Sequence, residues 1–318
     1  MIYRISFIFL FLLKSGVFFM KWRLQGLSVP LLFLMALPIF TMSVVSGACA
    51  AEKGSLSADT IQYNTNTKKI RAAGNVVINK EGVTLFGDFA NGDIGTSDFE
   101  LKGSVRGVFS KEKAELTAER LKLTQGNSKK NNGKVEAFGN VRIIRNKNDK
   151  LDAEYVFWEL ETENYAARGN VYAVMQGRVL KAEEAGRAKE KFWGRNVTRY
   201  EDKKQKIGFA AKVVDGVIKN GTVDEIKASG NVRIDYRDEE GQETLVTGDT
   251  AIYSKARGTV VISGNARAER KDGRTVTADN LVLYEDTRNI EASGHSQVLF
   301  ILPEKDKKKP AGGDMKNE

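Results

Sequence analysis

Ala228-Ser229-Gly230-Asn231-Val232-Arg233-Ile234 decides how the whole chain is read. A small residue precedes a glycine, a polar residue follows, and two apolar positions come after it with one residue between. The phrase returns as Ala72-Ala73-Gly74-Asn75-Val76-Val77-Ile78, as Ala137-Phe138-Gly139-Asn140-Val141-Arg142-Ile143, as Ala167-Arg168-Gly169-Asn170-Val171 and as Ile262-Ser263-Gly264-Asn265-Ala266. Looser copies are Lys102-Gly103-Ser104-Val105, Trp193-Gly194-Arg195-Asn196-Val197 and Ser293-Gly294-His295-Ser296. Eight copies make an internal repeat, and a repeat is architecture before it is anything else.

A second anchor lies upstream of each glycine. It is a small residue followed by an acid: Ala58-Asp59, Gly87-Asp88, Ala118-Glu119, Ala153-Glu154, Ala182-Glu183, Gly248-Asp249 and Ala278-Asp279, with Ala211-Lys212 lacking the acid. The offsets from small residue to glycine are 16, 16, 21, 16, 12, 19, 16 and 16, so five of eight agree. Around the glycine, Ile226, Ala228, Gly230, Val232 and Ile234 alternate with mostly polar residues, which is one face of a β-strand. A glycine within such a face marks a bend or a close approach of backbone or ligand. After the small residue the apolar step is three instead of two, as in Ala118, Leu121, Leu123, so the inward face changes phase as at a bulge. Each repeat therefore reads as two strands bent near the middle, and eight repeats as about sixteen strands.

The connections, such as Asn64–Lys69, Arg145–Lys150 and Ser254–Gly258, are short and polar, which suits antiparallel neighbours. A parallel solenoid is the structural rival, but the 25 to 36 residues between successive glycines vary more than its coils usually do. The four prolines, Pro30, Pro38, Pro303 and Pro310, all lie outside residues 51–302, which suits nearly uninterrupted ladder bonding. Residues 51–175 and 176–302 read as two sets of repeats. The boundary falls in the least regular stretch, Gln176–Thr222, where Lys181–Lys191 is helical in composition but keeps the repeat register and is read as strand.

Residues 1–50 contain no acid and hold two apolar runs around Lys21-Trp22-Arg23. From Met20 the pattern is that of a secretory signal ending at Ala48-Cys49-Ala50, with translation starting at Met20. An uncleaved membrane anchor and lipidation at Cys49 are the rivals. Residues 303–318 form a Lys-rich tail that reads as disordered.

Little here supports catalysis. The chain has one histidine, His295, and its one cysteine lies in the leader, so no metal cluster and no His-assisted nucleophile is expected. An acid at one slot of seven repeats is architectural, whereas an active site needs a single constellation. No phosphate loop, dinucleotide fingerprint or calcium repeat is present, and no cofactor is expected. A glycan-cleaving carboxylate pair stays as a third hypothesis. The net charge of +9 includes Arg4, Lys14, Lys21 and Arg23 of the leader, which leaves +5 scattered over turns and no basic-aromatic motif for nucleic acid. The inward face is either the filled core of a structural envelope protein or an apolar trough; spacing alone does not choose.

The small–acid pair, the Tyr-ended strand (Ala58-Asp59…Tyr63, Gly248-Asp249…Tyr253, Ala278-Asp279…Tyr284) and the Gly-Asn-Val-x-Ile phrase together resemble the OstA/LptA/LptC family. These are periplasmic proteins of lipopolysaccharide transport. The resemblance covers most of residues 55–300 as two tandem family domains. It implies a twisted, V-shaped antiparallel β-jellyroll whose apolar interior holds lipopolysaccharide acyl chains, with no enzymatic activity. It also implies open sheet ends that pair edge to edge with other transport proteins of the inner and outer membranes, or end to end with a second copy. Carried over by position, the lipid-facing residues are Val76, Ile78, Val141, Ile143, Val232, Ile234, Leu281 and Leu283. The chain departs from the family in being longer than a minimal member and in its irregular middle repeats.

Overall fold

The computed structural model describes residues 54–300, apart from short segments at 81, 125–132, 161, 163, 205, 221, 238–240 and 285–288. The expected leader (1–50) and tail (303–318) lie outside the described residues. The strands are β1 (Ser55–Ser57), β2 (Thr60–Tyr63), β3 (Lys69–Lys80), β4 (Val83–Asp93), β5 (Asp98–Phe109), β6 (Ala114–Thr124), β7 (Lys134–Arg145), β8 (Asp149–Glu159) and β9 (Tyr165–Met175). The second half continues with β10 (Arg178–Ala188), β11 (Lys191–Asp202), β12 (Ile207–Lys219), β13 (Thr222–Arg237), β14 (Glu243–Ser254), β15 (Thr259–Arg270), β16 (Thr275–Tyr284), β17 (Ile290–Ser293) and β18 (Gln297–Leu299).

Every pairing is antiparallel and, apart from β1 with β3 and β16 with β18, joins sequence neighbours, in one sheet that runs from β1/β2 to β17/β18. The parallel solenoid is thereby excluded. β1 and β2 pair with opposite halves of β3, and β17 and β18 with opposite halves of β16. Each pair is one strand broken at its bend, so eighteen segments trace the sixteen expected strands. The helical composition of Lys181–Lys191 does not make a helix, because β10 is paired along both edges. Cross-strand bonding and burial of alternate side chains outweigh a weak local propensity.

The bend has one construction throughout. In β3, Gly74 and Asn75 both adopt left-handed φ, +75° and +48°, and together they oppose the single residue Asp88 of β4. Two extra residues preserve the alternation, so Ile70 and Ala72 before the bend and Val76 and Ile78 after it all point inward and are buried. The acid of the preceding strand fills the outside of the bend. Asp59 accepts a hydrogen bond from Asn75 Nδ2 at 3.0 Å, and the Asp59 backbone N–H donates to the Gly74 carbonyl at 2.9 Å. The same lock joins Glu119 to Asn140 at 2.7 Å and Asp249 to Asn265 at 2.9 Å. Glycine is required for two reasons: φ is positive, and a Cβ on Gly74, Gly139 or Gly264 would run into the side chain of Asp59, Glu119 or Asp249. The constant offset of small residue and glycine is thus the length of a hairpin arm counted from bend to bend.

The fifth repeat differs from its sequence reading. Gly194 is not the bend residue; Asn196 is, with φ +47°, and it alone opposes Lys212 of β12. The two-for-one bulge of β11 comes later, where Thr198 and Arg199 oppose Ala210, and the turn between β10 and β11 has two residues where that between β2 and β3 has five, which shortens the offset to 12. In the sixth repeat Lys212 takes the acid's place and its aliphatic stem lies against Gly230.

Bending divides each strand into two limbs, and the inner faces of the limbs meet. Phe109 and Trp158 both lie after the bends of their strands, and because β5 and β8 run in opposite directions they belong to opposite limbs, yet their rings are 5.3 Å apart between centroids, tilted by 57°. The buried side chains gather into two clusters. One contains residues from Ile70 to Val171, the other from Ala173 to Leu281.

Candidate functional site

Three features could carry function: the apolar lining between the limbs, the polar groups set within it, and the two end strands. The lining follows directly from the period-two pattern. Val76, Val141 and Val232 are each 1% exposed and Leu281 is fully buried. Ile78 is also buried, whereas Ile143, Ile234 and Leu283 are half-buried and pack against the clusters. All eight therefore point inward, but they do not form one group. Val76, Ile78, Val141 and Ile143 belong to the first cluster, and Val232, Ile234, Leu281 and Leu283 to the second.

The sequence reading missed the polar groups. Among the described residues, the buried charged side chains are Arg178, Arg187 and Asp202, all on β10 and β11. Arg178 and Asp202 are directly opposed across the two strands, and Arg178 Nε donates to Asp202 Oδ2 at 2.8 Å with side chains 9% and 2% exposed. Asp202 Oδ1 also accepts from the backbone N–H of Lys204 at 3.0 Å. Tyr200 is buried two residues before Asp202, and burial pushes its hydroxyl well above the usual phenol range. Arg187, at the other end of β10, donates from Nε to the Lys189 carbonyl at 2.9 Å. The signal was present in the sequence: Arg178 is in phase with Leu180 and Ala182, so an alternating strand must carry it inward.

Outside, the bends present a file of carboxylates and the flanking strands carry ion pairs such as Arg106–Glu115 at 2.6 Å and Arg142–Asp152 at 2.8 Å. These are solvent-exposed pairs, screened by water and salt, and contribute little to stability. Two shallow concavities, about 660 and 760 Å³, lie on charged surface around Tyr172 and Lys181 and around Lys206 and Arg237. Neither reaches the eight lining residues.

Among the described residues, the outer edges of β1/β2 and of β17/β18 pair with no further strand. Ile61 and Tyr63 of β2 are exposed, and Val298, Leu299 and Phe300 at the other end are about three-fifths exposed. Edges with unpaired backbone groups and apolar side chains are ready templates for another strand. The last bend carries the chain's one histidine in place of asparagine. His295 Nδ1 lies 2.9 Å from Asp279 Oδ2, and this contact raises the imidazole pKa through the hydrogen bond first and the charge second. A raised native pKa stabilises the protonated form. The contribution is complete below the ordinary histidine value of about 6.5 and is lost as pH rises through the raised value. Hydrogen exchange at β17–β18, corrected for intrinsic rate, should accelerate over that rise, and His295→Asn should flatten the dependence because asparagine makes the same bond at other bends. Equal pH profiles for the two proteins would remove the effect.

Comparison with known proteins gives few relatives. No family model matches the sequence, and no curated protein matches it. Among solved structures, the chain is similar to LptH of Pseudomonas aeruginosa, described as the LptA-homologous periplasmic component of the lipopolysaccharide transport device. The identity is 12%, the alignment covers 49% of this chain and 95% of that one, and the TM-score is 0.29.

Proposed function

We propose that this chain is a non-enzymatic lipid carrier of the bacterial envelope that takes lipopolysaccharide acyl chains between its two limbs. The observation that carries the reading is a lining of inward apolar residues repeated along the bent hairpins on either side of β10 and β11, with an end strand at each side that pairs with no further described strand. Moving hydrocarbon through water costs about 0.8 kcal/mol per methylene, so a twelve-carbon chain carries a cost of roughly 10 kcal/mol. A lining that repeats from strand to strand offsets that cost at every position along the sheet. The side chains of the lining cover one another in the closed state, so lipid enters by parting the limbs and replaces protein–protein contacts with protein–lipid ones. The open end strands then pair edge to edge with other transport proteins or with a second copy. Residues 1–50 export the chain to the periplasm or hold it at the inner membrane.

A photoreactive residue at Val232 or Leu281 tests this in cells. Adducts with lipopolysaccharide are expected at both, and outward controls at Arg233 and Arg267 should give none. The reverse pattern sinks the carrier reading. A second reading, a structural envelope protein with a permanently filled core, draws on Leu85, Leu101, Leu116 and Ile262, which have no exposed surface, and on the Phe109–Trp158 contact between limbs. Depletion separates the two. A carrier's loss empties lipopolysaccharide from the cell surface, whereas loss of a structural protein leaves it in place.

A further inference from the structure

We infer that the interior is partitioned at β10 into two separate acyl compartments, so that one chain holds two lipids, one on each side of a polar wall. The inference rests on the carrier reading above and adds the number and boundary of its sites. Comparing equivalent strands shows the wall. The inward residues of β6 are Ala114, Leu116, Ala118, Leu121 and Leu123, all apolar and buried. In β10 the corresponding positions are Arg178, Leu180, Ala182, Ala185 and Arg187, with an arginine at each end and the small residue Ala185 where β6 has Leu121. Asp202 on β11 completes the ion pair.

The division of the core falls one strand earlier. The two buried clusters separate between Val171 and Ala173 on β9, and Leu151 and Ala185 are the residues that touch both. The four lining residues on either side are thereby assigned to different compartments. The energetics explain why hydrocarbon stops there. A buried ion pair that keeps its hydrogen bonds is tolerated, but disturbing it leaves ions whose desolvation costs several kcal/mol each. An acyl chain that crosses β10 along the limb end, over Arg178 and Asp202, gains only about 0.8 kcal/mol per methylene buried and must displace contacts of that pair. Stopping on either side is the lower-energy arrangement.

The test uses the intact chain and purified deep-rough lipopolysaccharide, with native mass spectrometry as readout. Two lipids per chain are expected at saturation, and a chain with photoreactive residues at both Val141 and Val232 should carry two adducts. Saturation at one lipid that is trapped equally at either position overturns the partition. Binding of no lipid at all sinks the carrier reading, and this inference falls with it. The wall itself is tested by first filling one compartment through an adduct at Val141. The second site should then bind with affinity unchanged within twofold in the otherwise native chain. In Arg178→Met/Asp202→Leu the adduct's hydrocarbon can spread past β10 and should weaken the second site at least fivefold. Equal behaviour of the two proteins, whether both weaken or neither does, means the ion pair is no wall.

Discussion

Gly264→Val should destabilise the protein by about 3 kcal/mol, the largest loss expected from a single exposed or half-exposed position. Gly264 has φ +75°, a conformation that costs a non-glycine residue roughly 1–3 kcal/mol and a β-branched one the upper part of that range. The added Cβ would also displace Asp249, whose carboxylate receives the Asn265 amide and fills the outside of the bend. Register is lost together with the bend, since β15 pairs with β14 and β16 on either side of it. Gly177→Ala is the control. It has φ +85° but nothing within 4 Å of its would-be Cβ, so only the backbone term of about 1 kcal/mol applies. Denaturant unfolding of both variants checks the prediction, and equal losses would show that the acid lock contributes nothing.

Asp202→Ala should cost about 3–5 kcal/mol, because it leaves the Arg178 guanidinium buried without its carboxylate. The apolar replacement Arg178→Met/Asp202→Leu should recover the loss and match or exceed the parent, since buried pairs often contribute little net stability over well-packed hydrophobes. The two outcomes together separate what the charges do for stability from what they do for the interior. If the double variant is as unstable as Asp202→Ala, the pair is holding the β9–β10 and β11–β12 turns together, through the Lys204 N–H bond to Asp202, in addition to facing inward.

The fold was legible because one local device is repeated. Gly74-Asn75 and its copies announce a bend, the small–acid pair announces its partner strand, and alternation in Ile226, Ala228, Val232 and Ile234 assigns the inner face. What the sequence withheld was the relation between the two anchors. Nothing in Asp249 or Asn265 alone says that one caps the other, because the contact forms only after the hairpin closes. The Gly194 assignment failed for a related reason: the glycine two residues before Asn196 imitates the motif, while only the asparagine is left-handed there and the bulge lies further on, at Thr198 and Arg199. Arg178 could be read as inward from its phase with Leu180 and Ala182, but that Asp202 is its partner could not. An acid in an irregular stretch reads as surface until pairing of β10 with β11 shows the two opposed and inward. The side on which Phe109 meets Trp158 was likewise beyond reach, since it depends on how far the limbs close, which is set by long-range packing.

The open ladder has no closure condition. A barrel must satisfy a fixed strand count, but here each hairpin carries its own bend, its own lock and its own share of lining, and hands an equivalent edge to the next. With neighbouring strands ~4.8 Å apart, sixteen of them measure out roughly 75 Å along the sheet, and each hairpin is a graduation of about 10 Å. The molecule is in effect a ruler whose length is written as a number of units, and whole-unit duplication or loss would lengthen or shorten its span without redesigning anything between the ends.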